Sequence, residues 1–249
     1  METPTKSPTL AGKVAVVTGV TSGIGAALTT RLLAEGMTVV GVARDAARLA
    51  AAAARWGSAF HPIPADLASP EARQGGIEAL VARFPRVDLL VNNAAECVYE
   101  TPLGLGIERW RELLEVNLLA AIALVQALVP ALQGHGHVVN LSSVTARFVA
   151  NARFAPYALT KAAVERFTEA LRLELQPLGI KVSLLAPGLV DTPIYDKVAG
   201  FEKARARLAE QVPTWLRAED VAEAIVWMFG QPAHVLVSEL VLMPRDQPR

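Results

Sequence analysis

Short apolar runs rich in β-branched residues alternate with helical patterns from one end of the chain to the other. This alternation is the layout that builds a parallel sheet covered by helices on both faces. Most of the runs are continuously apolar, which is typical of strands buried on both faces. We therefore predict an α/β fold with a doubly wound parallel sheet. About seven strands are expected, at residues 14–18, 38–43, 60–64, 89–92, 138–141, 181–186 and 240–243.

Helical segments lie between these runs. Residues 24–34 repeat apolar side chains at the spacing of an amphipathic helix. Ser69 followed by Pro70 predicts another helix start, because serine caps free amides and proline suits the first helical position. The most apolar stretch, residues 118–132, is shorter than the roughly 20 residues that span a membrane. We expect it to be a buried helix of a soluble protein.

The 249 residues contain no linker rich in Gly, Ser or Pro. The sequence therefore predicts a single domain over residues 1–249, with a flexible N-terminal tail at residues 1–11. Between residues 189 and 216 the regular pattern weakens around a charged stretch. A long loop of this kind is often a lid, so we expect a surface loop with a short helix that closes over a substrate.

Charge and cysteine content narrow the function classes. The 24 Lys and Arg residues balance 24 Asp and Glu residues, so nothing attracts a nucleic-acid backbone at long range. Hydrophobic residues make up 52% of the chain, which is enough for a sizeable core and excludes intrinsic disorder. The single cysteine, Cys97, favours a reducing, cytoplasmic location. The four histidines have no metal-binding spacing, so no metal site is expected.

A glycine-rich turn with the sequence TGVTSGIG, residues 18–25, follows the first predicted strand and opens a helix. Glycines at such a turn bring backbone amides close to a pyrophosphate, whose charge the helix N-terminus favours. The spacing differs from the general G-x-G-x-x-G fingerprint, and such turns also occur as plain corners. Two interpretations stay open, a Rossmann-type dinucleotide site and a structural corner.

The end of the second predicted strand indicates which dinucleotide would bind. An acidic residue about 20 positions after the glycine turn binds the ribose 2′-hydroxyl of NAD. Arg44 stands near that place, and a guanidinium suits a 2′-phosphate, so NADP(H) is favoured over NAD(H). In the other interpretation Arg44 is solvated and Asp45 takes the NAD role.

Polar residues end two of the central strands, where open α/β sheets bind ligands. Asn92 and Asn93 end one strand, and Ser142 and Ser143 end another. Both pairs also have an ordinary interpretation as turn residues. Asn117 interrupts an apolar helical run, and a buried amide must find partners.

Tyr157 and Lys161 stand four residues apart, on one face of a predicted helix. An ammonium beside a phenol lowers the phenol pKa, and such a tyrosine exchanges a proton with a carbonyl or alcohol oxygen. The pair alone is a weak signal, since similar pairs are frequent on solvated helix faces.

All of these motifs occur in one order, and the chain resembles the short-chain dehydrogenase/reductase family over essentially its whole length. The family pattern runs TGxxxGxG, NNAG, a helix Asn, a strand-end Ser, YxxxK and a late PG. The matches here are residues 18–25, residues 92–95, Asn117, Ser143, Tyr157, Lys161, Pro187, Gly188 and Thr192.

The resemblance implies an NADP(H)-dependent alcohol dehydrogenase or carbonyl reductase acting on a small carbonyl or alcohol. Tyr157 would be the general acid/base, and Ser143 would bind the substrate oxygen. Lys161 would hold the nicotinamide ribose and lower the pKa of Tyr157. Asn117 would keep a water in the proton relay.

The resemblance also implies a cofactor site. Asp66 would lie by the adenine ring, the backbone of Asn92 by the adenosine ribose, and Thr192 by the carboxamide. The implied cofactor-binding set is Gly19, Thr21, Ser22, Gly23, Ile24, Gly25, Arg44, Asp66, Leu67, Asn93, Ala94, Tyr157, Lys161, Pro187, Gly188, Val190 and Thr192.

Three features depart from the family pattern. Ala95 replaces the glycine of NNAG. Tyr157 follows Ser143 by one residue more than the commonest spacing, so Ser142 is the alternative serine. The C-terminus lacks the usual DGG ending and contains Met243-Pro244 and Gln247. It is similar to the subgroup of serine 3-dehydrogenase, 3-hydroxy acid dehydrogenase and clavulanic acid dehydrogenase-like enzymes, which suggests a small polar carbonyl or hydroxy acid.

Three polar residues between the serine and the tyrosine bear on that suggestion. Arg147, Asn151 and Arg153 are candidates to grip a substrate carboxylate. The ordinary interpretation is that arginines in such a loop are solvated.

Other functions are compatible with the same residues. One is a non-catalytic NADP(H)-binding scaffold or sensor, and another is a sugar-nucleotide epimerase or dehydratase, although those relatives are longer. The family usually forms homodimers or homotetramers through the helices that carry Asn117 and Tyr157. Segments 113–129 and 158–175 are apolar on more than one stripe, which fits such packing or a thick monomer core.

Overall fold

The predicted strands form one sheet. They are β1 (Val14–Thr18), β2 (Thr38–Ala43), β3 (Phe60–Pro64), β4 (Leu89–Asn92), β5 (His137–Leu141), β6 (Lys181–Pro187) and β7 (Glu239–Leu242). The structure, a computed structural model, describes residues 9–149, 151–196 and 198–248. The strand order is β3-β2-β1-β4-β5-β6-β7, and all neighbours are parallel. This confirms the predicted fold class, with strand ends shifted by at most one residue.

Helices cover both faces of this sheet. The described residues contain α1 (Gly23–Ala34), α2 (Ala46–Trp56), α3 (Pro70–Arg83), α4 (Ile107–Leu114), α5 (Ala120–Leu132), α6 (Ala155–Leu175), α7 (Glu202–Gln211) and α8 (Ala218–Phe229). A π-helical turn, Glu115–Leu119, joins α4 to α5.

Strand β1 shows why the strands are continuously apolar. Ala15 and Val17 belong to one core cluster, with residues of α1, α2 and α8, whereas Val16 belongs to a second cluster, with residues of α3, α5 and α6. All three side chains are fully buried. Because successive side chains of a strand point to opposite faces, a strand between two helix layers needs apolar residues at every position.

The chain order of the strands reverses between β1 and β4. Strands β1 to β3 build the sheet in one direction, and β4 to β7 build it in the other. Loops that leave β1 and β4 therefore diverge at the carboxyl edge and open a crevice, the usual ligand position in such sheets.

The helix start predicted from Ser69 and Pro70 is confirmed at α3. The Ser69 hydroxyl accepts a hydrogen bond from the Ala72 amide at 3.2 Å, with Pro70 in the first turn.

Residues 1–8 of the predicted N-terminal tail lie outside the described part of the chain. Leu10 is buried in the first core cluster, so the tail prediction is wrong at this residue, because its side chain contributes to the core.

The apolar helix is longer than predicted. It runs without a break over Ile107–Leu132, 26 residues, and by length and composition alone it could cross a membrane. Core helices of soluble proteins pass the same test. Leu124, Leu128 and Leu132 are buried in the second core cluster, which accounts for much of its apolar character.

The segment 189–216 leaves the sheet edge after β6. It contains a short turn of helix, Pro193–Tyr195, and α7, as the charged stretch predicts. Its two ends meet through a bridge between Val190 and Leu216. The segment is therefore a long loop at the carboxyl edge of the sheet, and its two ends pair with each other.

Candidate active site

The glycine-rich turn brings β1 and α1 into close contact. Gly19 has a φ of +75°, a conformation that favours glycine. A Cβ on Gly25 would lie 2.3 Å from the Gly19 carbonyl oxygen, so this position has no room for a side chain. Ser22 precedes α1 without capping it, and the first turn of α1 has no acidic residue. The first amides of α1 thus remain available to an anion.

A cavity of about 330 Å³ lies at the carboxyl edge, where β1 and β4 diverge. It brings together predicted site residues from seven separate parts of the chain. Within the predicted catalytic and cofactor-binding sets, Gly25 and Asn117 do not line it. The predicted residues that do are Gly19, Thr21, Ser22, Gly23, Ile24, Arg44, Asp66, Leu67, Asn93, Ala94, Ser143, Tyr157, Lys161, Pro187, Gly188, Val190 and Thr192.

Thr18 ties the loop after β4 to the end of β1. Its hydroxyl oxygen accepts hydrogen bonds from the amides of Asn93 and Ala94, at 3.0 and 2.9 Å. The Asn93 side chain donates to the Thr18 carbonyl at 2.7 Å. Asn92 does not line the cavity, because its side chain turns inward and donates to Asn140 at 2.8 Å.

Arg44 and Asp45, in the turn after β2, have different contacts. The Asp45 carboxylate accepts a hydrogen bond from the Arg48 amide at 2.9 Å and so caps α2. Arg44 is exposed and lines the cavity, as does Arg48, whose guanidinium donates to the Thr21 carbonyl at 2.6 Å. Sequence reasoning missed Arg48, which lies in the first turn of α2.

The two serines after β5 have different surroundings. The Ser142 hydroxyl is buried and donates to Glu165 at 3.1 Å. The Ser143 hydroxyl accepts a hydrogen bond from the Thr145 hydroxyl at 3.0 Å, and its influence on Tyr157 lowers the pKa of that phenol. The geometry thus places Ser143 beside the tyrosine and turns Ser142 away from it.

Tyr157 and Lys161 both project from α6 into the cavity. The Lys161 Nζ donates to the Leu141 carbonyl at 2.8 Å and lies 5.8 Å from the centre of the Tyr157 ring. Burial lowers the pKa of Lys161 to about 8. Burial also raises the pKa of Tyr157 well above its usual value, with smaller contributions from Cys97 and Tyr195 in the same direction.

The predicted direction of the Tyr157 pKa shift is therefore wrong for the side chains as they lie. Desolvation of the phenolate outweighs stabilisation by nearby donors, of which the Ser143 hydroxyl lowers the pKa. At neutral pH the Tyr157 phenol is protonated.

Asn117 lies in the π-helical turn and is fully bonded. Its side-chain oxygen accepts from the Glu96 amide at 2.7 Å, and its Nδ2 donates to the Glu96 carbonyl and to the Thr160 hydroxyl, both at 2.9 Å. It therefore connects the cavity-lining segment at Glu96 to α6. With Lys161 it also lines a second, small cavity of about 10 Å³, close to the volume that one water requires.

The C-terminal segment supports the turn at Gly188. The Gln247 side-chain oxygen accepts a hydrogen bond from the Leu189 amide at 2.8 Å. A Cβ on Gly188 would lie 2.3 Å from that oxygen. Sequence reasoning noted Gln247 only as part of the ending, since no local pattern indicates a contact across 58 residues.

The three candidate carboxylate-binding residues do not line the cavity. The Arg147 side chain is bound to Glu165 and Glu239. Asn151 caps a short helical turn, and the Arg153 guanidinium lies over the Tyr99 ring at 5.2 Å. Across the described ranges, no three His, Cys, Asp or Glu side chains are grouped to hold a metal ion.

The fold and the site define a dinucleotide-type α/β protein with a Ser, Tyr and Lys at the sheet edge. A sequence profile of the family described as short chain dehydrogenase matches residues 13–203. The serine 3-dehydrogenase of Agrobacterium fabrum is 34% identical over 235 residues, which cover 93% of this chain and 94% of that protein. The chain belongs to the short-chain dehydrogenase family and is an oxidoreductase of that family.

Solved structures agree with this assignment. The closed form of serine dehydrogenase complexed with NADP+ has a TM-score of 0.87 and 28% identity, covering 95% of this chain and 96% of that one. A 3-ketoacyl-(acyl-carrier-protein) reductase from Brucella melitensis complexed with NADH has a TM-score of 0.83 and 26% identity, covering 95% and 99%. The two complexes contain different nicotinamide cofactors.

Lys161 makes the stability of the protein depend on pH. Between about pH 8 and its ordinary pKa of 10.5, the unfolded chain binds more protons than the folded one, so stability rises with pH. From roughly pH 7 to pH 9.5 we expect the free energy of unfolding to gain about 2 kcal/mol relative to Lys161→Met. Urea denaturation without added nucleotide measures this.

Cys97 and Tyr157 also titrate at alkaline pH, and burial raises the pKa of both. They are present in both proteins, so the difference between the two curves isolates Lys161. A difference that stays flat over this pH range would contradict a desolvated Lys161 ammonium.

Proposed function

We propose that the protein is an NADP(H)-dependent carbonyl reductase or alcohol dehydrogenase. The observation that carries this proposal is that Ser143, Tyr157 and Lys161 line the same cavity as the glycine-rich turn. A proton donor, an oxygen ligand and a phosphate-binding turn within one cavity are the parts that hydride transfer to a carbonyl requires.

The donors of the cavity fit a phosphorylated dinucleotide. The first amides of α1 have no side-chain acceptor and suit the pyrophosphate. Arg44 and Arg48 both line the corner beyond β2, where they suit a 2′-phosphate, while Asp45 is already engaged as a helix cap. The solved relative complexed with NADP+ supports the same choice.

We assign the remaining lining residues by their place along the cavity. Asp66, Leu67, Asn93 and Ala94 would hold the adenosine. Pro187, Gly188, Val190 and Thr192 would hold the nicotinamide, with Lys161 on its ribose. Gln247 would keep the Gly188 turn in position through the Leu189 amide.

Each catalytic side chain then has a defined task. When bound by these residues, NADPH would supply the hydride, two electrons and a proton equivalent, that the carbonyl carbon needs. The Ser143 hydroxyl donates a hydrogen bond to the carbonyl oxygen, and the Tyr157 hydroxyl transfers its proton to that oxygen, forming the alcohol. Solvent returns a proton to Tyr157, so one ketone, one NADPH and one proton give one alcohol and one NADP+. The raised pKa of Tyr157 keeps the phenol in the form that donates.

Asn117 would act through the segments that it connects. Its contacts to Glu96 and Thr160 fix the cavity wall against α6. Beside Lys161 it also borders the small cavity, which is a suitable place for the relay water that returns the proton to Tyr157.

We also propose a homodimer or homotetramer that packs α6 and the 107–132 helix against their symmetry mates. Leu119, Leu159 and Leu173 on these helices are 40%, 54% and 73% exposed, and large apolar side chains favour an interface. Light scattering is expected to give two or four times the chain mass of 26.5 kDa. The monomer mass would contradict this packing.

The buried free Cys97 fits a cytoplasmic location.

Tyr157→Phe tests the assignment of the general acid. Loss of the hydroxyl removes the proton donor, so we expect turnover to fall by about 10²- to 10⁴-fold. The ring stays in place, so the Kd for NADPH is expected to change by less than about twofold. NADPH oxidation with a ketone panel and calorimetric titration measure the two quantities.

The neighbouring serines provide a matched control for this test. Ser143→Ala is expected to lower turnover, whereas Ser142→Ala removes a hydroxyl that is bonded to Glu165 and keeps turnover. Wild-type turnover in Tyr157→Phe would refute the mechanism. A wild-type protein that binds NADPH but turns over no carbonyl would instead favour the alternative, a non-catalytic NADP(H)-binding scaffold or sensor.

Arg44→Ala tests the 2′-phosphate site. A charge-assisted hydrogen bond contributes about 1.5–3 kcal/mol, so NADPH binding is expected to weaken by about 10- to 100-fold. NADH lacks the phosphate, so its Kd is expected to change little in calorimetric titration. Arg55→Ala removes an exposed arginine of α2 that does not line the cavity and is the control. Equal losses for both nucleotides would contradict the assignment.

A further inference from the structure

The part of the cavity beside Tyr157 has an apolar and aromatic wall. Cys97, Ile194 and Tyr195 line the cavity there. They also pack in a separate apolar cluster, which we call the aromatic cluster. Its residues used below are Cys97, Tyr99, Phe154, Ile194, Tyr195 and Phe201.

Phe201 joins the 189–216 segment to the body of the fold. Its ring is 1% exposed, and its centre lies 5.0 Å from that of Tyr195 and 5.3 Å from those of Tyr99 and Phe154. Tilted and edge-on rings at these distances attract each other. The wall beside Tyr157 is therefore a packed apolar surface held in place by its own contacts.

The Cys97 and Tyr195 side chains of this wall are neutral at pH 7. Burial raises the pKa of the Cys97 thiol to about 12 and also raises the pKa of Tyr195. Neither side chain offers a positive charge to a ligand.

Three arginines of the surrounding segments have other partners. Arg205 donates to Asp191 at 3.2 Å and to Asp196 at 2.9 Å. Arg153 lies over Tyr99, outside the cavity, and Arg147 is bound to two glutamates.

The charge that does lie at this end of the cavity is negative and already paired. The Glu96 carboxylate, in the wall, accepts a hydrogen bond from Arg109 at 2.6 Å. Lys161, the cation nearest Tyr157 among the described lining residues, is held by the Leu141 carbonyl. Among the described residues that line this end of the cavity, none offers an unpaired cation to a substrate carboxylate, whose loss of hydration is costly.

We propose that this protein reduces uncharged ketones or aldehydes with an apolar or aromatic substituent, in preference to amino acids and hydroxy acids. The inference rests on the oxidoreductase function proposed above. It separates this chain from the relative named serine 3-dehydrogenase, whose name specifies an amino acid.

A matched pair of ketones tests the proposal. Ethyl acetoacetate and acetoacetate carry the same ketone, and each consumes one NADPH per alcohol formed, but only the second is an anion at pH 7. We expect kcat/KM for the ester to exceed that for the acid by about tenfold or more, because an unpaired charge is buried only with the acid. L-serine with NADP+ is expected to give no turnover above background.

The outcomes separate this inference from the proposed function. Equal or faster reduction of the acid, or oxidation of serine, would overturn the inference while leaving the oxidoreductase function intact. No NADPH oxidation with either ketone or with benzaldehyde, in protein that binds NADPH, would overturn both.

A variant that adds a charge to the wall tests whether the wall causes the preference for the uncharged ester. Ile194→Arg places a guanidinium in the wall beside Tyr157, so the preference for the ester is expected to shrink by about tenfold. Leu236→Arg adds the same charge on the surface, outside the cavity, and is the control. Thermal unfolding shows whether each variant is folded. An unchanged preference in folded Ile194→Arg would show that the aromatic cluster does not set substrate charge, and the inference would be wrong.

Discussion

The Thr18 hydroxyl holds the two diverging halves of the carboxyl edge together. It accepts hydrogen bonds from two consecutive amides of the loop after β4, while Asn93 donates back to the Thr18 carbonyl. At the same point Gly25 touches the Gly19 carbonyl so closely that a Cβ does not fit. These contacts set the distance between the glycine turn and the loop after β4. The cavity, and with it the site, exists because that distance is kept.

The side chains that line the cavity differ in how deeply they are buried. Beside Tyr157, burial keeps the phenol protonated and the Lys161 ammonium easier to deprotonate. At the corner beyond β2 the side chains of Arg44 and Arg48 are exposed, where a phosphate can reach them. Beside the wall of the aromatic cluster, the charged groups Glu96 and Lys161 already have partners. The end of the cavity that we assign to the cofactor thus presents exposed cations, and the end that we assign to the substrate presents an apolar wall and paired charges.

Several outcomes show where sequence reasoning stops. The sequence left two choices open: Arg44 or Asp45 at the 2′ position of the cofactor, and Ser143 or Ser142 as the serine beside Tyr157. Each choice depends on which of the two side chains is already bonded to another part of the protein. Asp45 and Ser142 both line the cavity, but Asp45 caps α2 and Ser142 binds Glu165, so local contacts already engage both side chains. The pKa direction of Tyr157 was wrong for a similar reason. The spacing of two residues on a helix says nothing about how deeply the phenol is buried.

The order of apolar runs by itself determined the parallel sheet, its strand bounds and the edge at which polar residues collect. Period and apolarity are local properties, and a strand buried on both faces leaves a clear pattern. The tertiary structure alone decided the contacts between distant segments. These are the Gln247 bond to Leu189, the clamp of Asn117 on Glu96, and the ring of Phe201 against Tyr99 and Phe154. Such contacts depend on how whole elements pack, and no local pattern in the chain records that packing.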